Sequence, residues 1–458
     1  MNTQRDYKLI EYTLSLCPNC IKTIPTKIIE KDGSIFLLKY CKQHGQQVSL
    51  LEEDAAFYLK RHDYNKPSTK SKTQTEINLG CPFDCGLCPD HEQHTCIGLI
   101  EVTPRCDLGC PICYANAGSG EPLSLKKIEQ MMDFLQDSES GNAEILQISG
   151  GEPTTHPDII KIIELAKSKK FKYVMLNTNG LRISKYEAFV KELSKFKGGF
   201  EIYLQFDGLD NKTYYHLRGK NLFEAKKEAI NNLTKYAIPI TLVATIEKGI
   251  NDNEIGNIID FGIKTKYVRG INFQPIAFFG RLRKTHNLND RVTMTGIINR
   301  IEKQTKGMIK KSDFIPLPCD IDRVAVTYLY RNKDEFIPIT RHLDIKNYIQ
   351  ILDNTFAFDA DRLIKNVKEN PSCCDILGFL KGISPLIPAS FILKSEKDKV
   401  EFVDENTFRI STTSFVDIYN FDMASIKREC VHIITPDLKR IPFSSFNMIH
   451  RKKYENNN

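Results

Sequence analysis

The sequence predicts an α/β fold: a partial barrel of six β-α repeats, preceded by metal-binding segments and followed by a mixed C-terminal domain. From Leu99 to Ile276, short apolar runs alternate with amphipathic segments of helical period. That alternation is typical of parallel strands covered by helices, and six repeats fall short of the eight that close a full barrel. Cysteines cluster ahead of this region, and the alternation fades beyond about residue 300. The predicted divisions are 1–62 (metal knuckle), 63–98 (linker and cysteine loop), 99–300 (partial barrel) and 301–458 (C-terminal domain).

Composition limits the classes of function. The chain has 458 residues, 26% of them charged, and a formal net charge of +7. No apolar run reaches the ~20 residues of a membrane span, and the start MNTQRDYKLIEYT lacks the apolar core of a signal peptide. No Lys/Arg stripe with interleaved aromatic residues appears. We therefore expect a cytoplasmic protein with at most peripheral membrane contact and no nucleic-acid partner.

The local pattern also places individual elements. Ser124 is predicted to cap a helix over 124–137, and Ser184 with Glu187 to form a capping box for a later helix. Further helices are predicted over 156–169, 223–236 and about 253–264. In such folds the site lies at the carboxyl ends of the strands. The six predicted strands lie in LIEVTP, EILQISGGEP, KYVMLNTNG, FEIYLQFDG, ITLVATIEKG and INFQPI.

Fourteen cysteines in a reducing compartment indicate metal ligands rather than disulfides. The spacing C-x3-C-x2-C occurs twice, and structural zinc, the alternative at both places, favours C-x2-C pairs. The first copy is followed by a fourth cysteine, which predicts a closed auxiliary iron–sulfur site. The second copy follows the first barrel strand and has no nearby fourth cysteine, so one iron would stay open to a small molecule. The two sets are Cys81, Cys85, Cys88 and Cys96, and Cys106, Cys110 and Cys113.

The motif Gly150-Gly151-Glu152-Pro153 ends the second predicted strand. Glycines allow a ligand to approach the backbone closely, and a carboxylate can hold an ammonium group. A C-x3-C-x2-C loop, one β-α unit and then GGEP resembles the radical S-adenosylmethionine (SAM) enzymes.

That resemblance implies a catalytic [4Fe–4S] cluster on Cys106, Cys110 and Cys113, SAM as cofactor, and a low-potential electron donor such as ferredoxin or flavodoxin. Gly150, Gly151 and Glu152 would meet the methionine end of SAM. Four other polar residues at strand ends would contact ribose or substrate, or else form hydrogen bonds with local backbone groups. An arginine would reach the SAM carboxylate, or else lie on the protein surface. These residues are Asn177, Asn179, Gln205, Asp207 and Arg218. The adenine contact falls to Ile112 or Tyr114.

Two further sets of cysteines flank the barrel. The first has the C-x2-C…C-x2-H form of a knuckle and predicts zinc or a mononuclear iron on Cys17, Cys20, Cys41 and His44. The second set has no tight motif, and its cysteines either bind a third [4Fe–4S] cluster or are ordinary buried thiols of the core. It comprises Cys319, Cys373, Cys374 and Cys430.

The knuckle, the two cysteine loops, CPICYANAG and the tail RECVHIITPDLKRIPFSSFN together resemble the archaeal tetraether lipid synthase group and its bacterial relatives. The resemblance implies radical C–C bond formation on a lipid chain, our leading hypothesis, or methylation of a small heterocycle such as a pterin. A third hypothesis is a non-catalytic zinc-binding scaffold for nucleic acid. A wide apolar groove would favour the lipid, and a small polar pocket the heterocycle.

Overall fold

The computed structural model describes residues 5–67, 69, 71–282, 290–332, 335–350, 352–356, 365–366, 381–382 and 406–455. Two predicted ligands, Cys373 and Cys374, lie outside the described residues. In the part of the chain that is described, no helix is both long and apolar enough to cross a membrane.

The N-terminal region is a four-stranded antiparallel sheet with the strand order β1-β2-β3-β4. Alternating side chains on its inner face form a small core with Ile28, Ile35 and Leu37, as the two-residue period of a half-buried sheet requires. A short helix, α1, follows, and the Asp54 side chain caps it by accepting from the amide of Phe57. The elements are β1 (Lys8–Leu16), β2 (Thr23–Lys31), β3 (Ser34–Cys41), β4 (Gly45–Glu52) and α1 (Ala55–Lys60).

The second sheet confirms the predicted parallel α/β barrel. All six predicted strands form, and each pairs in parallel with the next. They are β5 (Ile97–Glu101), β6 (Ile145–Ser149), β7 (Tyr173–Thr178), β8 (Phe200–Gln205), β9 (Ile240–Ile246) and β10 (Val268–Pro275).

Strands from beyond residue 300 extend the same sheet at both edges, so the sheet crosses the domain boundary that the fading pattern predicts there. One strand pairs in parallel with β10 and another with β5, and antiparallel strands complete the edges. Such pairings join residues far apart in the chain and leave no local signal. The added strands are β11 (Ile315–Leu317), β12 (Asp320–Asn332), β13 (Glu335–Pro338), β14 (Thr407–Thr413), β15 (Val431–Ile434) and β16 (Arg440–Pro442).

Helices cover the outer face of the barrel. Ser124 caps α2 through a bond from the amide of Lys127, as predicted, and Ile128, Met132 and Leu135 are fully buried beneath it. The barrel helices are α2 (Leu125–Ser138), α3 (Ile159–Ser168), α4 (Leu181–Lys185), α5 (Glu187–Leu193), α6 (Asn211–Arg218), α7 (Phe223–Lys235), α8 (Ile255–Lys264) and α9 (Met294–Gln304). Three short helices end the chain: α10 (Met423–Ile426), α11 (Phe443–Ser445) and α12 (Arg451–Glu455).

The predicted capping box of Ser184 and Glu187 is wrong. Ser184 lies inside α4, where its hydroxyl donates to the carbonyl of Leu181, and α5 begins after Tyr186 without a side-chain cap. The break between the two helices falls two residues later than the motif indicates, because Gly180 in a left-handed conformation starts α4 early.

Candidate active site and metal centres

The second cysteine triplet lies on the loop that follows β5, at the carboxyl end of the barrel. Backbone bonds fix this loop at both ends: the amide of Cys106 donates to Gly118 O at 3.1 Å, and Cys113 exchanges two bonds with Arg281 at 2.9 and 3.0 Å. Cys106, Cys110 and Cys113 line one cavity of about 290 Å³ that reaches into the barrel. The structure thus brings the three predicted cluster ligands together.

The three thiols suit a cluster that leaves one iron open. Burial raises the pKa of Cys106 to about 12 and also raises that of Cys110, so these thiols stay protonated unless a cation replaces the proton. Among the described residues that line the cavity, the one further side chain of a common ligand type is Glu152. Its carboxylate is already occupied by protein donors, as shown below. No fourth protein ligand is therefore at hand in the described part of the chain.

The two glycines of GGEP serve the contact between β6 and the cysteine loop. A Cβ atom at Gly150 would lie 2.4 Å from the carbonyl oxygen of Thr103, and one at Gly151 would lie 2.3 Å from that of Arg105. The same backbones are bonded, because Gly151 N donates to Thr103 O at 2.7 Å. Gly150 also has a φ of +145°, which favours glycine. Both glycines line the cavity, where their backbone can approach a ligand as predicted.

Glu152 differs from the expectation that it holds an ammonium group. Its Oε1 accepts from the Thr154 amide and hydroxyl and from the Thr178 hydroxyl, and its Oε2 accepts from the Asn179 amide, at 2.7 to 3.1 Å. These four bonds use the acceptor sites of a carboxylate. The side chain therefore joins the ends of β6 and β7, and burial raises its pKa.

Asp207 and Arg218 form a buried bidentate ion pair, at 2.7 Å from Nε and 2.6 Å from Nη2. Arg218 lines the cavity, is 6% exposed, and places Nη1 3.5 Å from the carbonyl of Ile112 in the cysteine loop. The Asp207 carboxylate raises the pKa of this guanidinium, which stays charged. Asp207 therefore positions Arg218, and the plain surface arginine considered as an alternative is excluded.

The remaining predicted contacts divide into two groups. Asn179 is bonded through both side-chain ends, to Asp107 and to the amide of Leu181. Asn177 and Gln205 line the cavity, and Asn177 Oδ1 is buried without a hydrogen-bond partner. Both adenine candidates, Ile112 and Tyr114, also line it.

Several cavity residues were not predicted. Most of them lie on inward-facing positions of the six predicted strands, so the strand period could have identified them, whereas Arg409 lies on β14, which was not predicted. They include Gln147, Tyr203, Thr245, Asn272, Gln274 and Arg409.

The N-terminal knuckle is assembled as predicted. The Nδ1 atom of His44 lies 3.5 Å from the sulfur atoms of both Cys17 and Cys41, and Cys20 Sγ lies 3.9 Å from Cys41 Sγ. All four donors lie within 4.8 Å of one another. Three thiolates and one imidazole at this spacing fit a single tetrahedral ion.

The predicted first set is wrong in one member, whereas in the predicted C-terminal set Cys319 and Cys430 do lie together, and Cys373 and Cys374 fall outside the described residues. Cys96 does not complete the first triplet; its sulfur lies within 4.8 Å of those of Cys319 and Cys430, and all three residues are buried. The reason is strand pairing, because Cys96 precedes β5 and Cys430 precedes the adjacent β15. The first triplet instead surrounds a small separate cavity, with Cys81, Cys85 and Cys88 on its wall.

Comparisons with known proteins agree with this architecture. A family model described as the radical SAM superfamily matches residues 100–262, and one described as the HMPTM N-terminal zinc ribbon domain matches residues 9–53. The chain is 36% identical to the 7,8-dihydro-6-hydroxymethylpterin dimethyltransferase of Methanocaldococcus jannaschii, over 97% of this chain and 94% of that protein.

Weaker similarities extend over part of the chain. It is 27% identical to the probable GTP 3′,8-cyclase of Methanothermobacter thermautotrophicus, over 35% of this chain and 52% of that protein. Among solved structures, SuiB of Streptococcus suis has a TM-score of 0.38 at 20% identity, covering 46% of each chain. The near full-length relative and the superfamily model identify the family, with its [4Fe–4S] cluster and SAM. The chain belongs to the radical SAM superfamily and is a radical SAM enzyme.

Proposed function

We propose that this protein is a radical SAM methyltransferase acting on a small reduced heterocycle of the pterin type. The name of the relative from M. jannaschii gives it as a dimethyltransferase of 7,8-dihydro-6-hydroxymethylpterin. The observation that carries the proposal for this chain is its 36% identity to that relative over 97% of its length, and polar side chains on the cavity wall support it.

The cavity wall combines apolar side chains with a set of polar ones that could bind a heterocyclic ring. Burying a polar group against hydrocarbon without a partner costs ~1–3 kcal/mol, so these polar groups favour a substrate that can satisfy them. Lipid C–C bond formation, the leading hypothesis from the sequence, has no support from the relatives. The polar side chains that line it come from six strands: Gln147, Asn177, Tyr203, Gln205, Thr245, Asn272, Gln274, Arg409, Ser411 and Thr413.

Two buried amides on neighbouring strands have hydrogen-bonding capacity to spare. Asn177 Oδ1 has no partner, and the Gln147 amide nitrogen has the thioether of Met175 at 3.5 Å, a weak acceptor. The ring of a pterin carries an amide and an amino group on one edge, so it offers the donors and acceptors that these side chains lack. Phe279 and Phe443 on the cavity wall provide apolar faces for a flat ring.

The residues of the chain would hold the reacting groups and exclude water. Cys106, Cys110 and Cys113 would hold the catalytic cluster, and the backbone at Gly150 and Gly151 would border SAM. When bound, these cofactors supply a 5′-deoxyadenosyl radical that removes hydrogen from an unactivated C–H bond. A C–H bond of this kind has no acidic proton, which is why acid–base catalysis would not suffice.

Anaerobic turnover distinguishes the candidate substrates. Protein reconstituted with iron and sulfide is given SAM, a low-potential reductant, and either 7,8-dihydro-6-hydroxymethylpterin or an archaeal diether lipid. SAM is the radical source, leaving methionine, and a second SAM is the methyl donor, leaving S-adenosylhomocysteine; a parallel reaction adds a reduced pterin that carries a one-carbon unit as the other class of donor. We expect 5′-deoxyadenosine and a methylated pterin by mass spectrometry, and no coupled lipid. Methylation of neither compound, or a coupled lipid alone, would contradict the proposal.

A further inference from the structure

The cavity beside the first cysteine triplet lacks one ligand for a closed cluster. Cys81, Cys85 and Cys88 line it, and Cys96 lies with Cys319 and Cys430 instead. A four-iron cluster with protein ligands at every iron needs a fourth donor. The other described residues of a ligand type on this wall are Asp84, Asp90 and His91.

Neither aspartate suits that position. Asp84 Oδ2 already accepts from the amides of Asn78, Leu79 and Gly80, each at 2.7 Å. Asp90 is 41% exposed on its side chain and lies 3.2 Å from the ammonium group of Lys427. Each carboxylate is therefore already held through its Oδ2 atom by groups outside the triplet.

His91 is held with one nitrogen turned away from the cavity. Its amide donates to the carbonyl of Cys88 at 3.0 Å, which keeps it beside the triplet. Its Nε2 lies 3.2 Å from Nε2 of the fully buried His432, whose Nδ1 lies 3.0 Å from Thr95 Oγ1. Arg440 Nη1 donates to the same hydroxyl at 3.2 Å.

We propose that His91 is the fourth ligand of the auxiliary cluster held by Cys81, Cys85 and Cys88, and that it binds iron through Nδ1. Its Nε2–H then donates to His432, and His432 Nδ1–H donates to Thr95, whose oxygen has lone pairs for two donors. Such an outer hydrogen bond is the usual support of a metal-bound imidazole. The proposal does not depend on the identity of the substrate.

The test uses protein in which histidine alone carries an isotope label. Full-length protein containing ¹⁵N-histidine is reconstituted with iron and sulfide and reduced without SAM, and its cluster signals are measured by electron–nuclear double resonance. We expect a strong ¹⁵N coupling in the wild type. This coupling should disappear in His91→Ala and in His91→Cys. The His91→Cys protein should keep the wild-type iron content. Its cluster should have a lower midpoint potential, because a thiolate adds negative charge.

His450→Ala is the matched control, since His450 Nε2 bonds to Pro82 O in the same loop but is not part of the cavity wall. It should keep the coupling. His44, at a single-ion site, contributes nothing to a reduced cluster signal. His94 Nε2 lies 3.6 Å from Cys96 Sγ at the other buried cysteine site, so every protein compared also carries His94→Gln. In that background, the absence of ¹⁵N coupling with His91 in place, or a coupling that survives in His91→Cys, would overturn the assignment.

Discussion

Cys96 and Cys430 lie side by side, with the amide of Cys96 donating to the carbonyl of Cys430 at 2.9 Å. Each residue directly precedes a strand, and the parallel register of β5 and β15 pairs Ile97 with Val431. Ile97 and Val431 line the catalytic cavity. The site formed with Cys319 therefore lies against the wall of the substrate cavity, which the spacing of the cysteines does not indicate.

Iron content tests this grouping. We expect Cys96→Ser, Cys319→Ser and Cys430→Ser to lose the same increment of metal, because their sulfur atoms share one site. Cys96→Ser combined with Cys430→Ser should lose no more than either alone, whereas Cys96→Ser combined with Cys81→Ser should lose two increments. Iron and sulfide per chain would be measured after anaerobic reconstitution. Equal losses in the two double variants would contradict the grouping.

The knuckle and the catalytic loop should respond differently to the loss of one thiolate. Cys17→Ser should release one metal ion and lower the unfolding temperature, because the metal closes the core of the N-terminal sheet, while 5′-deoxyadenosine still forms. Cys106→Ser should fold and keep the knuckle metal but form no 5′-deoxyadenosine. Metal analysis, thermal unfolding and nucleoside chromatography give the three readouts. Full loss of SAM cleavage in a folded Cys17→Ser protein would show that the knuckle is not merely structural.

Removing one partner of the buried ion pair between Asp207 and Arg218 should lower the unfolding free energy substantially. Removing one partner of such a pair leaves an uncompensated charge and costs ~3–5 kcal/mol, so we expect Asp207→Ala to lower the unfolding free energy by about that amount. Adding Arg218→Met should restore part of the loss, since it removes the stranded charge. Urea unfolding of the single and double variants measures the coupling, and strictly additive effects would count against the pair.

Lys226 predicts a pH dependence of stability. Its ammonium group donates to Asn179 O and Gln205 Oε1, and burial lowers its pKa to about 8 from 10.5. Between these values the unfolded chain binds more protons, so the unfolding free energy rises with pH, by ~3 kcal/mol at about 1.4 kcal/mol per pKa unit. Below pH 8 the free-energy cost of keeping the buried Lys226 charged is fully present.

Lys226→Met should lack that rise between about pH 8 and 10.5. Lys227→Met is the control, because the Lys227 side chain is 42% exposed and paired with Glu224. Urea unfolding at several pH values compares the three proteins. A Lys226→Met curve parallel to the wild type would show that this lysine is not the group that titrates.

Replacing Asn177 tests whether the polar side chains of the cavity wall bind the substrate. Replacing it with leucine removes a buried amide that a pterin would satisfy, and a hydrogen bond contributes ~0.5–1.5 kcal/mol, so we expect KM for the pterin to rise several-fold up to about tenfold. SAM cleavage in the absence of pterin should persist. Val243→Ala, on the same wall and without a polar group, serves as the control. An unchanged KM in Asn177→Leu would place the substrate elsewhere.

Much of the barrel could be predicted because its signals are local. The six strands, the cap at Ser124 and the two cysteine triplets all lie within short windows of sequence, where period and spacing carry the information. Pairings between distant segments could not be predicted in this way. The position of Cys96 depends on β15, which follows it by more than three hundred residues, and Cys319 comes from yet another strand.

The role of Glu152 shows the same limit at the site itself. The motif identifies the residue, but its four donors include Thr178 and Asn179 from the next strand, and only the fold reveals that they occupy the carboxylate. The inward-facing Gln147 and Asn272 were within reach of the strand period. Their importance depends on the cavity that the whole barrel encloses.

We propose that Cys106, Cys110 and Cys113 leave one iron open to SAM. Electron–nuclear double resonance of the reduced protein, with SAM carrying ¹⁵N in its amino group, measures whether that iron binds SAM. We expect a ¹⁵N coupling to a cluster in the wild type and none in Cys110→Ser. A fully loaded wild-type protein that binds SAM but shows no such coupling would contradict it.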